Sequence, residues 1–209
     1  ACVGHNKAEM EGILADLQDQ GIENILALRG DPPKDDKIFD FKKSDYVYAV
    51  DLIHEIRNKG DFGIAAAAYP EGHPECERLI DDLLFLKQKV DAGADFLITQ
   101  MFFDNRVFYE FVDKAQRLRI NVPIVAGIMP ILNAGQIKRM VYLSGASIPG
   151  KLLKLIDQYE HHPEDMKKAG IEYASHQIQD LLDNHVDGIH LYTMNKWEEI
   201  LAIAENTGI

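Results

Sequence analysis

Apolar positions along this chain alternate between two periods. Within Glu9 to Gln20, Met10, Ile13, Leu14 and Leu17 recur at the spacing of one helical face, and Gly21 supplies a stop, so the segment reads as a helix. Asn24 to Asp31 is then a short apolar run ending in Gly-Asp-Pro-Pro, which fits a buried parallel strand better than a half-exposed one. The alternation continues with a helix over Tyr46 to Asn58, a strand over Phe62 to Tyr69, a helix over Arg78 to Ala92, and a nearly unbroken apolar strand over Ala94 to Phe103. Next come a helix over Arg106 to Leu118, a strand over Pro123 to Ile131, and helices over Ala134 to Leu143, Gly150 to Tyr159 and Pro163 to Asn184. A strand over Gly188 to Met194 and a helix over Trp197 to Glu205 close the pattern.

Strands and helices alternating about every 30 residues imply right-handed βαβ units and a parallel sheet, in a barrel or a doubly wound arrangement. No strand runs into the glycine-rich dinucleotide fingerprint, and polar residues recur at strand C-terminal ends, where barrel enzymes assemble their sites. The expected fold is therefore an α/β (β/α)8 TIM-type barrel forming a single domain over residues 1–209. With a strand tail at Ala1 to His5, the count is about six strands of the eight a barrel needs, so the first two units are expected to be missing from the sequence. The charged segment Lys34 to Asp45 has no consistent period and is expected to be a mobile loop over the site.

Composition narrows the classes of partner. The formal charge of −12 is not relieved by any cluster of Lys and Arg, which argues against nucleic acid. No apolar run approaches the roughly 20 residues of a membrane span and no signal peptide opens the chain, so a cytoplasmic location is expected. Cys2 and Cys76 stand far apart and outside any metal-ligand spacing, which predicts reduced thiols and no metal site.

Several residues could carry chemistry. Asp31 follows Arg29-Gly30 at a strand end, where its carboxylate would face a barrel mouth or merely cap its own turn. Tyr69-Pro-Glu-Gly-His-Pro-Glu75 combines an aromatic ring, a histidine and two prolines; it could hold a flat or polyhydroxyl ligand, or be a rigid loop whose histidine serves its own backbone. Gln100, within an apolar strand, must be hydrogen-bonded by a ligand or by neighbouring backbone. Asp82 and Lys89 lie seven residues apart, on the helical face that also carries Phe85 and Leu86, and read as a solvated charged pair. His161-His162 reads as a loop dipeptide, and Met140 as core or as a lid of the pocket. No central strand holds the lysine that a Schiff-base aldolase would want.

Six segments together resemble methylenetetrahydrofolate reductase: Ala27-Leu-Arg-Gly-Asp-Pro32, Ala68-Tyr-Pro-Glu-Gly-His-Pro-Glu75, Lys89-Val-Asp-Ala-Gly-Ala-Asp95, Ile98-Thr-Gln-Met-Phe-Phe103, Pro123-Ile-Val-Ala-Gly-Ile-Met-Pro130 and His190-Leu-Tyr-Thr-Met-Asn195. The resemblance implies a barrel that binds FAD and reduces 5,10-methylenetetrahydrofolate to 5-methyltetrahydrofolate with NADH or NADPH, in ping-pong fashion, in the one-carbon metabolism that feeds methionine biosynthesis. It implies small-molecule partners, folate and a nicotinamide nucleotide, and a homo-oligomer. By the same resemblance Asp31 is the catalytic aspartate, near the flavin and bonded to the pterin, and Gln100 and Gln136 contact substrate. Lys196 stands where the family commonly has a folate-contacting arginine, and Met140 where some members place an aromatic. For FAD the resemblance points to Arg29, Gly30, Asp31, Tyr48, Ala49, Tyr69, His73, Cys76, Asp82 and Lys89, which replaces the solvated reading of Asp82 and Lys89. The family's general-acid glutamate belongs to the first barrel strand and has no counterpart here, so a truncated, non-catalytic fragment keeping part of the flavin site is the competing expectation.

Overall fold

The computed structural model describes residues 1–32, 40 and 44–209. In chain order the elements are α1 (Lys7–Asp19), β1 (Asn24–Ala27), α2 (Ala49–Lys59), β2 (Gly63–Ala68), α3 (Leu79–Asp91), β3 (Phe96–Thr99), α4 (Asn105–Arg117), β4 (Ile124–Ile128), α5 (Ala134–Ser144), α6 (Gly150–Tyr159), α7 (Pro163–Asp183), β5 (Gly188–Leu191) and α8 (Trp197–Thr207). The strands are ordered β1-β2-β3-β4-β5 in one sheet, each beside its predecessor in sequence. This is the α/β alternation of a parallel sheet whose strands are joined by helical crossovers. No helix among the described residues is long and apolar enough to cross a membrane.

Two compact units make up the chain. The first comprises Ala1–Ala68 and Leu84–Leu97. Its α1 starts on a capping box, in which the Asn6 side chain accepts from the Glu9 amide and the Glu9 carboxylate accepts from the Asn6 amide, satisfying two donors that helix geometry leaves without partners. β1 and β2 pair in parallel with Asn24 opposite Gly63 and Ala27 opposite Ala66. Met10, Leu14, Ile53, Ile56, Ile64 and Leu97 form the buried apolar interior. Arg57 ties the unit together: its guanidinium donates to the Gly93 carbonyl at 2.7 and 3.0 Å and to the Phe62 carbonyl at 2.7 Å, and it pairs with Asp95. Asp95 in turn accepts from the Ile64 amide at 2.7 Å, so the start of β2 and the turn before β3 are fixed through one side chain.

The second unit comprises Tyr69–Leu83 and Ile98–Ile209. β4 and β5 pair in parallel with Val125 opposite Gly188 and Ile128 opposite Leu191. Its core gathers Phe103, Ile131, Ile137, Met140, Ala146, Leu152 and Met166. The 21-residue α7 is pinned to the segment after β3 by polar contacts: Tyr173 Oη donates to the Phe103 carbonyl at 2.6 Å and Gln177 Nε2 to the Phe102 carbonyl at 3.0 Å.

Those contacts explain a difference from the sequence reading. The strand expected to run from Ala94 to Phe103 is confined to Phe96–Thr99, because beyond Thr99 the backbone carbonyls are taken by α7 side chains and the Met101 amide by the Gln100 side chain, leaving no ladder to continue. The tail Ala1 to His5 is likewise not a strand; the Cys2 and Val3 amides donate to the consecutive carbonyls of Leu28 and Arg29 at 3.0 and 2.8 Å, which anchors the tail to the chain just past β1. Five strands therefore stand among the described residues, where about six were expected. The segment expected to cover the site, Lys34 to Asp45, falls largely outside the described residues.

Candidate functional site

In the first unit the candidate residues follow strand ends. Arg29, Gly30 and Asp31 come directly after β1; Arg29 and Gly30 are half-buried and Asp31 is exposed. Gly30 has φ +88°, and a Cβ there would lie 2.5 Å from Val3 Cγ1, so both conformation and the anchored tail require glycine. Tyr48 and Ala49 sit at the start of α2, where the Asp51 carboxylate accepts from the Val47 and Tyr48 amides at 2.9 Å; the Tyr48 ring is exposed. Lys89, half-buried near the end of α3, donates from Nζ to the Ala67 carbonyl at 2.9 Å, close to the end of β2. It is thus no solvated surface lysine. Leu86 is buried on the same helix, whereas Phe85, expected beside it, is 53% exposed: neighbours one position apart point about 100° away from each other around a helix.

In the second unit the loop after β2 is tightly organised. The Gly72 amide donates to the Tyr69 carbonyl at 3.0 Å and the Cys76 amide to the His73 carbonyl at 2.8 Å. His73 Nδ1 accepts from the Glu75 amide at 3.1 Å, which in the neutral ring puts the proton on Nε2, and the ring meets Tyr69 edge-on with centroids 4.7 Å apart. Glu71, which sequence reasoning did not single out, accepts from the Ser147 amide with both carboxylate oxygens, at 2.9 and 3.1 Å. Tyr69, Pro70, Glu71 and Gly72 then line a narrow cleft with Gln100, Met101, Ser144 and Ala146.

Gln100 stands immediately after β3, and its Oε1 accepts from the Met101 amide at 3.0 Å. The backbone therefore meets part of its hydrogen-bonding need, and with the oxygen so engaged the side chain offers Nε2 donors to the cleft. Gln136, exposed in the first turn of α5, and Lys196, exposed at the N-cap of α8, do not line this cleft; Met140 is 8% exposed and belongs to the core. Cys76 and Asp82 are half-buried, and the Cys76 thiol lies 3.3 Å from the Arg78 carbonyl.

Two further residues hold the backbone just before Gln100. Thr99, fully buried at the end of β3, accepts on Oγ1 from the Gly127 amide of β4 at 2.8 Å, and its carbonyl accepts from Tyr192 Oη at 2.9 Å. Tyr192, one residue past β5, was not singled out by the sequence, where it is one more residue of an expected strand.

The fold and these strand-end groups define an α/β protein with polar side chains at the ends of parallel strands, the usual location of ligand sites in this class. A family model described as methylenetetrahydrofolate reductase matches residues 1–208, and the chain belongs to that family. It is 36% identical to methylenetetrahydrofolate reductase (NADH) 1 of Arabidopsis thaliana, with all of this chain aligned to 37% of that protein. It is 39% identical to methylenetetrahydrofolate reductase 2 of Schizosaccharomyces pombe, over 35% of that protein, and 36% identical to 5,10-methylenetetrahydrofolate reductase of Escherichia coli K12, over 68% of it. The chain thus spans little more than a third of the plant and yeast relatives. Among solved structures, a Clostridium thermocellum protein described as binding two copies of 5-methyl-5,6,7,8-tetrahydrofolic acid shares the fold with a TM-score of 0.62 at 16% identity, covering all of this chain and 71% of that one.

Proposed function

We propose that this chain is part of a flavin-dependent (β/α)8-barrel methylenetetrahydrofolate reductase, cytoplasmic, which reduces 5,10-methylenetetrahydrofolate to 5-methyltetrahydrofolate at the expense of NADH or NADPH. The observation that carries the reading is family membership over residues 1–208 in a chain whose narrow cleft is lined by Gln100 and by Tyr69, the ring that meets His73 edge-on. The names of the relatives, some specifying NADH and one NADPH, favour catalysis with a nicotinamide nucleotide over a non-catalytic fragment.

The residues suit FAD. Its diphosphate is anionic, and Arg29 and Lys89 bring cations to strand ends in an otherwise acidic chain. In this reading Gly30, Asp31, Tyr48 and Ala49 of the first unit are cofactor-binding residues, and so are Tyr69, His73, Cys76 and Asp82 of the second. The fixed tautomer of His73 would make Nε2 a donor to ribityl or phosphate oxygens. Bound FAD would supply hydride transfer, accepting from the nucleotide and delivering to folate in separate half-reactions.

The chain's own side chains would bind and orient. Asp31 places a carboxylate where positive charge develops on the folate, lowering the energy of that charge electrostatically. Gln100 donates from Nε2 to a carbonyl oxygen, on the pterin in one half-reaction and on the nicotinamide carboxamide in the other. Gln136 and Lys196 would contribute further substrate contacts, Lys196 as a point charge reaching a carboxylate. The test is direct. Purified whole protein supplied with FAD should show a flavin band at about 450 nm that is bleached by NADH or NADPH and restored by 5,10-methylenetetrahydrofolate. Protein that takes up no FAD, or whose reduced band is indifferent to the folate, refutes the proposal.

A further inference from the structure

We propose that Tyr192 is a positioning residue for Gln100, acting through the peptide bond that joins Thr99 to Gln100; the role of Gln100 rests on the reading just given. Tyr192 continues β5 by one step, its amide donating to the Ile128 carbonyl of β4 at 2.9 Å. From there its hydroxyl crosses β4 to reach the Thr99 carbonyl of β3 at 2.9 Å. The crossing is possible because β4 has glycine at the point traversed: a Cβ on Gly127 would stand 2.8 Å from Tyr192 Cε2 and 2.1 Å from the Thr99 oxygen. Gly127 also donates its amide to Thr99 Oγ1 at 2.8 Å, so the hydroxyl and the carbonyl of Thr99 are both held, each by a different strand.

The carbonyl matters because a peptide unit is planar. Fixing the Thr99 oxygen fixes the plane that contains the Gln100 nitrogen and Cα, which leaves φ as the one backbone torsion that directs the Gln100 Cβ. The fold-back of Oε1 onto the Met101 amide then sets the remaining torsions and aims Nε2. A tyrosine kept only for packing would not need its hydroxyl. Burial pushes that hydroxyl above its ordinary range, so it stays protonated and remains a donor.

In the whole protein, Tyr192→Phe should raise KM for methylenetetrahydrofolate about fivefold, the loss of one neutral hydrogen bond, with little change in kcat and an unchanged flavin band. On a Gln100→Ala background the same change should add nothing. Tyr109→Phe is the control, since it removes another tyrosine hydroxyl bond of the same unit, to the Asp180 carboxylate at 2.7 Å, and should leave KM as it was. The side-chain amide resonance of Gln100, read by NMR, should move in Tyr192→Phe and stay put in Tyr109→Phe, whatever the substrate proves to be. A full fivefold effect that persists without Gln100, or an amide resonance indifferent to Tyr192→Phe, overturns the proposal. A wild-type protein that ignores methylenetetrahydrofolate while its Gln100 resonance responds would instead sink the reductase reading and leave the positioning role standing.

Discussion

The end of β1 and the end of β3 each present a group proposed to meet substrate, and they are built in opposite ways. Past β1, Asp31 is exposed and the backbone carrying it is held by amides of Cys2 and Val3 and by the contact of Arg29 Nε with the Gly30 carbonyl at 3.4 Å. Past β3, Gln100 follows a threonine that is fully buried and bonded to two further strands. The difference matches what each group would do. A carboxylate that works through its charge acts over several ångströms and loses little to small displacements, since Coulomb energy falls only as the inverse of distance. An amide that works by donating a hydrogen bond is useful within a few tenths of an ångström and a narrow range of angles, so its support must be stiff.

Two glycines test that contrast most severely. An alanine Cβ at Gly127 would meet backbone, the Thr99 oxygen at 2.1 Å, which cannot move without breaking the support of Gln100. An alanine Cβ at Gly30 would meet the Val3 side chain at 2.5 Å and take up a φ of +88°. Gly127→Ala should therefore cost about 3 kcal/mol, or a fall in Tm of roughly 6 to 12 °C, against about 1 to 2 kcal/mol for Gly30→Ala. Thermal unfolding of the two variants side by side checks the order; equal losses would show that the β3 end is no stiffer than the β1 end.

Function gives the next largest effect. If Asp31 acts by charge, Asp31→Asn keeps the shape, removes the charge, and should slow reoxidation by methylenetetrahydrofolate by roughly 10- to 100-fold, in line with the loss of one electrostatic contact to a developing charge. Reduction by the nicotinamide nucleotide should change by less than about threefold, because no comparable positive charge then needs a carboxylate. Stopped-flow measurement of the two half-reactions separates them, and losses of equal size would assign Asp31 to holding the cofactor.

How much of this could be read from the sequence follows the same division between periodic and irregular. Among the described residues, helical periods and apolar runs located every α-helix and all five strands, because burial repeats every 3.6 or every two residues and survives in one dimension. What was misjudged is where strands stop. The run Ala94 to Phe103 looks continuous because Phe102 and Phe103 are as apolar as strand residues, yet their backbone carbonyls bond to Tyr173 and Gln177 of α7, some 70 residues further on. Gln100 thus moves from the middle of a strand to its end. The task of Tyr192 was hidden for a related reason: its partner is a backbone carbonyl 93 positions away, and no spacing rule reports such a pair. The strand-end candidates, by contrast, stand out in the sequence because Asp31 and Tyr69 close apolar runs and Gln100 interrupts one.

The smallest effect belongs to His190, on β5 beside the tyrosine that braces the β3 end, the two rings meeting edge-on with centroids 4.7 Å apart. Burial lowers the pKa of His190, so the folded protein holds the ring neutral at pH values where the unfolded chain has already taken up a proton. As pH falls through the unfolded value, about 6.5, the unfolded state binds more protons and stability declines; the decline ends once pH has passed below the depressed folded value, because both states are then charged. The stabilisation is accordingly intact above about pH 6.5 and eroded beneath it. His190→Phe retains a ring against Tyr192 and removes the titration. The fall in Tm between about pH 8 and pH 5 should therefore be shallower in the variant than in the wild type. Parallel curves would mean that the ring protonates equally well in the folded protein, and that the end of β3 is braced next to solvent instead of in a dry interior.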